Sequence, residues 1–420
     1  MREQLQFVLA RLLGYCFLTA PCTACSRPPS PDTLSSAHSA QPKPSLNVTR
    51  PVVSALPPTG LAELRPVTDA SGKVGFLDAQ FKLIVSPRFE SAEAVSEGLI
   101  AAREGANSGY LNAHGQWAIE PTLAKAAPFS EGLAAVAVNQ AGSLRFGFID
   151  HSGHWVVLAQ FEAANSFHEG LARVRANGVE QYVDHAGKVV FVTPGSASYE
   201  FRGGLTRVVH KELNGYADAQ GKLVIAPRFA QARDFFEGLA AVAVGGRWGF
   251  IDVKGAFRIR PRFVQANDFS AGRAVVASSD HEFGFVTPDG TLSGNYLLAS
   301  NFQNGLAGVL VAGANVGSTA DKQPAERWGF IDTRGTLVVA PKFEKFEGGF
   351  REGLVAVAEP GRDFGYIDEH GEYVIAPRFP FAQEFVNGIA RVQQRAPDGH
   401  TEFGYIDRHG AFVYGPFPIP

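Results

Sequence analysis

An aspartate that could bind a metal ion or transfer a proton recurs along the chain behind a glycine and an aromatic residue. The eight copies are Asp78, Asp150, Asp184, Asp218, Asp252, Asp332, Asp368 and Asp407, with Asn112 and Thr287 at two equivalent positions. Seven of the eight precede a glycine by three residues, which is typical of a type I turn. A calcium loop needs several carboxylates in one short segment, and these segments offer one or two. We therefore interpret the aspartates as hairpin-turn residues.

A second recurring set of residues is basic and lies between a proline and a phenylalanine. Its members are Arg88, Arg228, Arg262, Lys342 and Arg378. An acidic set recurs directly before a glycine, and its members are Glu97, Glu131, Glu169, Glu237 and Glu352. Regular stacking would align each set in a row, and we expect the rows to form surface ion pairs of about 0–1 kcal/mol each. In the alternative interpretation, the five basic residues bind an anionic polymer or an acidic partner surface.

Other residue types that support chemistry are scarce or scattered. All three cysteines, Cys16, Cys22 and Cys25, lie in the first 25 residues, so the remaining chain has no disulfide or thiolate chemistry. The eleven histidines are scattered, and we expect no metal site. No nucleophile-elbow, zinc-protease or nucleotide-binding motif is present in a suitable context. The net charge of −3 gives no reason to expect nucleic-acid binding. We predict a non-enzymatic protein without a cofactor.

The recurring aspartate ends a motif that occurs ten times. Its copies start at residues 75, 109, 147, 181, 215, 249, 284, 329, 365 and 404, spaced 34 to 45 residues apart. Such a period is typical of a repeat architecture. We name this segment strand B and expect its aromatic side chains to form the core, although a stacking platform for sugars or bases is an alternative. These residues are Phe76, Tyr110, Phe148, Tyr182, Tyr216, Phe250, Phe285, Phe330, Tyr366 and Tyr405.

Two further apolar segments accompany strand B in each repeat. Strand A follows a glycine, as in GLAAV at 132, and strand C follows the Asp turn, as in LVIAP at 223. The step from the strand B glycine to the next strand A glycine is 23 residues in seven of nine cases, whereas the step from A to B ranges from 11 to 24. Nearly all length variation is thus in the A–B connections, which we place on a solvent-facing rim.

The phase of the repeats constrains how a ring could close. The first strand A is expected near Leu61 and the last strand C at residues 411–415, so the body holds a whole number of A–B–C units. No strand is left over to complete the first unit from the C-terminus. A closed ring would therefore depend on side-chain contacts between the first and last units.

The N-terminus has the pattern of an export signal. Residues 12–20 form an apolar run of nine, too short for a membrane span of about 20 residues but typical of a signal peptide. The TAC sequence ending at Cys25 is similar to the end of a bacterial lipobox, so we predict lipidation at Cys25 after a signal at 1–25. An ordinary cleaved signal is the alternative. Residues 26–59 are rich in proline and serine and are predicted to be a disordered tether.

The nine-residue strings RWGFIDVKG at 247 and RWGFIDTRG at 327 resemble the WG-repeat family, named for Trp-Gly. The resemblance covers about residues 60–415, and QYVD at 181 and GFVT at 284 depart most from the family pattern. It implies an all-β binding or scaffold protein of bacterial type, and it supplies no catalytic residues.

These observations predict an all-β body over residues 60–420, built from ten tandem three-stranded antiparallel meanders in a propeller-like ring or a gently superhelical stack. We expect an envelope-associated scaffold that binds a protein or an anionic polymer through the A–B loops, with 312–326, 139–145, 359–363 and 396–402 as the best candidates. One alternative is a carbohydrate-active enzyme with a pocket on the ring axis. Another is a purely structural envelope component.

Overall fold

A computed structural model describes residues 64–193, 197–312 and 325–419. The predicted signal (1–25), Cys25, the tether (26–59) and most of the 312–326 insert lie outside these residues. The described chain consists of strands and turns, arranged as ten antiparallel sheets in a ring, a ten-bladed β-propeller. No helix in these residues has the length and apolar character needed to cross a membrane.

In the part of the chain that the structure describes, each blade except the first has four strands, one more than the sequence predicts. In blades 2 to 10 a strand that follows the preceding strand C pairs with the other side of strand A, which gives the order short strand, A, B, C. These additional strands are Ser91–Ala92, Lys125–Ala126, Ala163–Ala164, Ala197–Arg202, Gln231–Ala232, Gln265–Ala266, Leu298–Ala299, Lys345–Arg351 and Phe381–Ala382. Most contain only two residues, too few to show the alternating pattern from which a strand is predicted.

The three predicted strands are present in every blade. Strands A are Arg65–Thr68, Ile100–Glu104, Ala134–Gln140, Ala172–Ala176, Leu205–His210, Leu239–Val244, Ala274–Ser279, Leu306–Ala312, Leu354–Ala358 and Ala390–Arg395. Strands B are Val74–Leu77, Asn107–Leu111, Ser143–Ile149, Val179–Val183, Leu213–Asp218, Arg247–Asp252, Glu282–Val286, Glu326–Asp332, Phe364–Ile367 and Thr401–Ile406. Strands C are Leu83–Phe89, Trp117–Leu123, Trp155–Phe161, Val189–Val192, Leu223–Phe229, Phe257–Phe263, Leu292–Tyr296, Leu337–Phe343, Tyr373–Phe379 and Phe412–Pro418.

The first strand A begins later than its Gly-Leu motif at residue 60 suggests. Arg65 pairs with Leu77, just as Ile100 pairs with Leu111 in the next blade. Leu64 is therefore the counterpart of Leu99, and the strand expected near Leu61 is Arg65–Thr68. The prediction took the first strand A three residues too early because an unrelated Gly-Leu pair precedes it.

The core lies between neighbouring blades. Phe250 and Ile259 of blade 6, for example, pack with Phe269 and Val276 of blade 7 in one hydrophobic cluster. All ten strand B aromatic residues are buried, with at most 8% of any of them exposed. Burial of a large apolar side chain contributes roughly 1.5–3 kcal/mol, so each blade is stabilised mainly by its two neighbours. The prediction that these aromatic residues form the core is confirmed.

The ring closes through side chains, as the phase of the repeats predicts. Val67 and Leu77 of blade 1 pack with Ile389 and Tyr405 of blade 10. The Thr68 backbone N–H also donates to the Tyr405 hydroxyl at 3.0 Å. No strand pairing between the described parts of these two blades accompanies these contacts. The architecture is therefore the closed ring and not the open superhelical stack.

Candidate functional site

The B–C hairpins and the turns that precede strand A lie at one end of the blades, here called the turn rim and represented by residues 252–255 and 131–132. The aspartates of strand B are turn residues there, as predicted. Asp252 Oδ1 accepts the backbone N–H groups of Lys254 and Ala256, both at 3.0 Å, and its carbonyl accepts from Gly255 at 2.8 Å. Within the described ranges, no group of three or more His, Cys, Asp and Glu side chains could hold a metal ion.

The acidic row connects consecutive repeats, but in a different way from the expected ion pairs. Glu131 has a left-handed backbone (φ 55°), and its carboxylate accepts the N–H of Gly170 in the next blade at 3.0 Å. The His185 ring nitrogen lies 3.1 Å from the same carboxylate. The equivalent backbone contacts join Glu97 to Gly132, Glu169 to Gly203 and Gly204, Glu237 to Gly272, and Glu352 to Gly388. The acidic side chains therefore hold neighbouring turns together.

The basic row is exposed, and all five members contact the following blade, three of them through backbone carbonyls. Arg228 and Arg262 donate to the carbonyls of Gly255 and Gly290 in the following blade, each at 2.8 Å. Arg378 makes the equivalent bond to blade 10. All five basic groups lie 4.8–5.2 Å from the ring centre of the phenylalanine that follows them.

The other two members of the basic row face carboxylates on strand A or just after it. Arg88 lies 3.5 Å from Glu104, and Lys342 lies 3.9 Å from Glu359. Among the described residues, no ion pair joins the basic row to the acidic row. The geometry therefore gives the basic row a structural use, and its binding of an anionic polymer or acidic partner surface stays a prediction.

The A–B hairpins lie at the opposite end of the blades, which we call the A–B rim. In blades 2 to 7 the connection contains two residues, whereas it contains five in blades 1, 9 and 10, at residues 69–73, 359–363 and 396–400. The 139–145 segment, predicted as a loop, is instead a hairpin with longer strands, since strand A extends to Gln140 and strand B starts at Ser143.

The longer connections belong to consecutive blades, because blade 10 contacts blade 1 around the closed ring. The blade 8 connection, 313–325, is also long but lies mostly outside the described residues. We call residues 69–73, 359–363 and 396–400 the long-loop sector. Sequence spacing alone missed this grouping, because the closure of the ring is what makes blade 10 a neighbour of blade 1.

Charged groups order the long-loop sector. Arg395 of blade 10 forms a two-point ion pair with Asp363 of blade 9 at 2.6 and 3.1 Å, and this contact raises the pKa of Arg395. Next to it, burial and the Glu359 charge raise the pKa of Tyr373 to about 12. The loop tips, including Arg362 and Pro397, are exposed. The sector is therefore an accessible polar surface, and the Arg395–Asp363 ion pair fixes the bases of its loops in blades 9 and 10.

Comparison with models of known families shows which family the chain belongs to. The WG containing repeat model matches residues 75–107, 109–140, 146–179, 215–248, 248–277, 328–359 and 364–395, together more than half of the chain. The chain belongs to the WG-containing-repeat family. The comparison with curated proteins gave no match.

Solved structures show only a distant likeness to this WG-repeat protein. Kluyveromyces lactis Hsv2 has a TM-score of 0.33 and 9% identity, over 59% of this chain and 98% of that one. BamB from Moraxella catarrhalis has a TM-score of 0.30 and 12% identity, over 79% and 92%. PorZ, a bacterial surface component of the type-IX secretion system of Porphyromonas gingivalis, has a TM-score of 0.26 and 10% identity, over 81% and 54%. Likeness at this level carries no information about function.

The glycine of the WG motif is required by a close approach of strand C. A side-chain carbon on Gly249 would lie 2.5 Å from the Ile259 carbonyl oxygen and 2.6 Å from the Pro261 nitrogen. The cause is a bulge with two extra residues, because the one residue between Trp248 and Phe250 on strand B faces the three residues between Ile259 and Phe263 on strand C.

The two repeats that depart most from the WG pattern, in blades 4 and 7, also relate the glycine to the bulge of strand C. In blade 7 the bulge contains one extra residue instead of two, and a carbon on Gly284 would lie 2.9 Å from the nearest carbonyl oxygen. In blade 4 the glycine is replaced by Gln181. Gln181 pairs with Val192 and Tyr182 pairs with Phe191, so the two strands stay in register and strand C has no bulge at this point. The WG glycine is thus present where strand C bulges toward it and absent where strand C does not.

Proposed function

We propose that this WG-repeat propeller is a non-catalytic scaffold of the cell envelope that binds a protein partner through the long-loop sector of its A–B rim. The observation that carries the proposal is the grouping of the longer A–B connections, at 69–73, 359–363 and 396–400, on consecutive blades. Loops on a rigid repeat body can vary without disturbing its core and are a common position for binding residues.

The two rims differ in where the partners of their polar groups lie. On the turn rim, the Asp and Glu side chains accept backbone N–H groups within and between blades, as Asp252 and Glu131 do. In the long-loop sector, the exposed Arg362 and Asp398 have partners, among the described residues, only within their own loops, Glu359 at 3.8 Å and the His400 backbone N–H at 3.3 Å. The bases of these two loops are fixed by the Arg395–Asp363 pair. An ordered base with accessible tips lowers the entropy lost when a partner binds.

Position-specific photo-crosslinking tests the proposed binding surface. A photoreactive residue is placed at Arg362 or Pro397 in the long-loop sector, and matched controls carry it at Lys211 in a two-residue hairpin or Lys254 on the turn rim; all four positions are exposed. Irradiation in intact cells is expected to give a discrete adduct from the two sector positions only. Adducts from Lys211 and Lys254 at equal yield would contradict the proposal.

The envelope part of the proposal depends on the N-terminal segment and has its own test. Mass measurement of the mature N-terminus distinguishes a lipidated Cys25 from a cleaved but unmodified chain. Cys25→Ser is expected to move the protein from the membrane fraction to the soluble fraction. A full-length N-terminus on a chain retained inside the cell would refute export.

The two other functions have distinct signatures. A purely structural envelope component would give no partner adduct at any of the four positions. A carbohydrate-active enzyme needs two carboxylates roughly 5–9.5 Å apart across a pocket. The cavity between blades 7 and 8 is lined by no aspartate or glutamate, so it gives the enzyme alternative no support.

A further inference from the structure

Nine of the ten junctions between blades have a glycine at the turn position, and Phe81 takes that position at the closing junction of blades 10 and 1. The nine glycine junctions repeat one packing contact with a single departure. In eight junctions, the turn glycine of one blade lies against a branched or aromatic side chain from strand C of the preceding blade. The pairs are Gly115 with Val85, Gly153 with Ile119, Gly187 with Val157, Gly221 with Phe191, Gly255 with Ile225, Gly290 with Ile259, Gly371 with Val339, and Gly410 with Ile375. At the junction of blades 7 and 8, a carbon added to Gly335 would meet no atom within 4 Å.

A serine and an arginine replace apolar residues at this junction. Ser293 pairs with Phe285 at the position where Ile259 pairs with Phe250 in blade 6. Arg273 occupies the place before strand A that is leucine or isoleucine in the other described repeats, as its bridge to Ser270 shows. The two changes leave a cavity of about 70 Å³ between the blades.

The cavity lining combines polar and apolar side chains. Arg273, Ser293 and Tyr296 carry polar groups, whereas Phe285, Phe302 and Ile331 are apolar. Arg273 is half-buried, and it donates from Nε to the Thr333 carbonyl and from Nη1 to Ser293 Oγ at 3.0 Å. Both partners are neutral.

The charge on Arg273 lacks a balancing carboxylate in the described part of the chain. The other arginine at the cavity, Arg334, is paired with Asp332 at 2.9 Å, whereas no ion pair of the described residues includes Arg273. Burial raises the pKa of Tyr296, so its hydroxyl is a neutral donor at physiological pH. A half-buried guanidinium without a counter-charge favours an anion at this position.

We propose that the cavity between blades 7 and 8 binds a carboxylate group, with Arg273 as the charged donor. A dry cavity of about 150 Å³ holds benzene, which has six non-hydrogen atoms, so by proportion this cavity of about 70 Å³ accepts about three, the size of a carboxylate group whose stem continues outward. Phe285, Phe302 and Ile331 would contact a short aliphatic stem. A phosphate group would place hydrated oxygens against those apolar side chains, so a carboxylate fits better. The source is either a free short-chain acid or a glutamate side chain of another polypeptide.

Ligand-observed saturation-transfer NMR on the full chain tests this assignment. Propionate, a blocked Gly-Glu-Gly peptide and inorganic phosphate are titrated separately at constant ionic strength. Wild-type protein is expected to show saturable propionate binding. Arg273→Leu is expected to weaken it by about tenfold or more, the loss typical of a hydrogen bond to a charged group. Arg247→Leu, which removes an exposed arginine of blade 6, is the matched control and is expected to bind as wild type does.

Two further variants keep the test decisive if Arg273→Leu does not fold. Ser293→Ile restores the apolar side chain of the other junctions and is expected to abolish binding by filling the cavity. Tyr296→Phe keeps the ring and removes one donor, so it is expected to weaken binding by a few-fold. Peptide binding identifies the glutamate side chain as a source, and propionate binding without peptide binding identifies a free acid. Absent or non-saturable propionate binding, undiminished binding by Ser293→Ile, or a preference for phosphate would each overturn the assignment.

Discussion

Replacement of Gly249 by alanine tests whether the WG glycine is required by the bulge of strand C. Gly249 does not have a positive φ, so an added methyl group is compatible with its backbone conformation. The methyl carbon would instead lie 2.5 Å from the Ile259 carbonyl oxygen. The obstacle is backbone, which cannot rotate away as a side chain can.

The size of the effect follows from that distance. An ordinary carbon–oxygen contact is about 3.3 Å, so strand C must move by about 0.8 Å. Overpacking of this kind costs about 1–3 kcal/mol. Alanine would otherwise be favoured over glycine within a strand by about 0.5–1 kcal/mol. We expect a net destabilisation of about 1 kcal/mol for Gly249→Ala. For Gly284→Ala, where the distance is 2.9 Å, the required movement is half as large and the two effects nearly cancel.

Urea unfolding followed by circular dichroism measures the overall change in stability. Repeat proteins can unfold in parts, so hydrogen exchange of strands B and C in blades 6 and 7 should accompany it. We expect faster exchange in Arg247–Asp252 and Phe257–Phe263 for Gly249→Ala. Gln181→Gly in blade 4, where no bulge faces strand B at that position, is the reciprocal control. It should lower stability by about 0.5–1 kcal/mol, because glycine weakens a strand interior.

Equal effects of Gly249→Ala and Gly284→Ala would refute this explanation, because the two sites differ in their distance to strand C. A gain in stability from Gln181→Gly would refute it independently. That result would mean that the family prefers glycine at this position for a reason unrelated to the bulge.

Three further predictions concern other contacts of the ring. Arg273→Leu combined with Ser293→Ile should raise the free energy of unfolding by up to about 1.7 kcal/mol in urea, since about 70 Å³ of cavity is filled at roughly 24 cal/mol per Å³. Glu131→Gln should cost about 0.5–1 kcal/mol by weakening the acceptor for the Gly170 N–H, whereas Glu282→Gln, at an exposed site, should leave the urea midpoint unchanged. The folded-state pKa of Tyr373 is about 12 against 10 when unfolded, so its contribution to stability is complete below pH 10 and is lost as the pH rises to about 12. Tyr373→Phe should therefore reduce the loss of stability over that pH range, and unchanged urea midpoints between pH 9 and 12 relative to wild type would contradict this.

The sequence was sufficient to predict the repeat unit and its core. An aromatic residue recurs in all ten copies of strand B. In most copies it directly follows a glycine, and the strand ends at an Asp turn. Tyr110 and Phe250 are both fully buried because they occupy the same register in their blades. The sequence left open whether the array closes into a ring. The whole number of units predicted only that a closed ring would depend on side-chain contacts between the first and last units, which the packing of Val67 and Leu77 against Ile389 and Tyr405 confirms.

Two features could not be read from the sequence because they depend on neighbouring blades. The short strand Gln231–Ala232 has no periodicity of its own and exists because strand A offers it an unpaired edge. The role of Glu131 depends on Gly170, which lies 39 residues away and is adjacent only after the blades stack. The constant position of the glutamate directly before a glycine was the available signal, since it places the carboxylate at the same turn in each repeat.

Loop lengths were also ambiguous at the level of sequence. The spacing from the Gly-Leu motif to the strand B glycine is equally long in blades 1 and 3. In neither blade does this spacing measure the length of the loop between strands A and B. In blade 3 the extra residues lengthen both strands, to Gln140 and from Ser143, and in blade 1 the Gly-Leu motif was taken from outside the strand. Only the paired register separates a longer hairpin from a longer loop.

Repetition makes the junction between blades 7 and 8 informative. Each apolar contact of a turn glycine with strand C stabilises two blades, so its loss weakens the ring on both sides. Replacing that contact by Ser293 and a charged Arg273 leaves a cavity and a half-buried guanidinium without a counter-charge, both of which are unfavourable by themselves. The eight apolar junctions show that this fold has no structural need for such a charge at this place. An anionic group bound at Arg273 would offset both costs at once, which is why this single polar junction is interpreted as a binding site and not as a defect in the repeat.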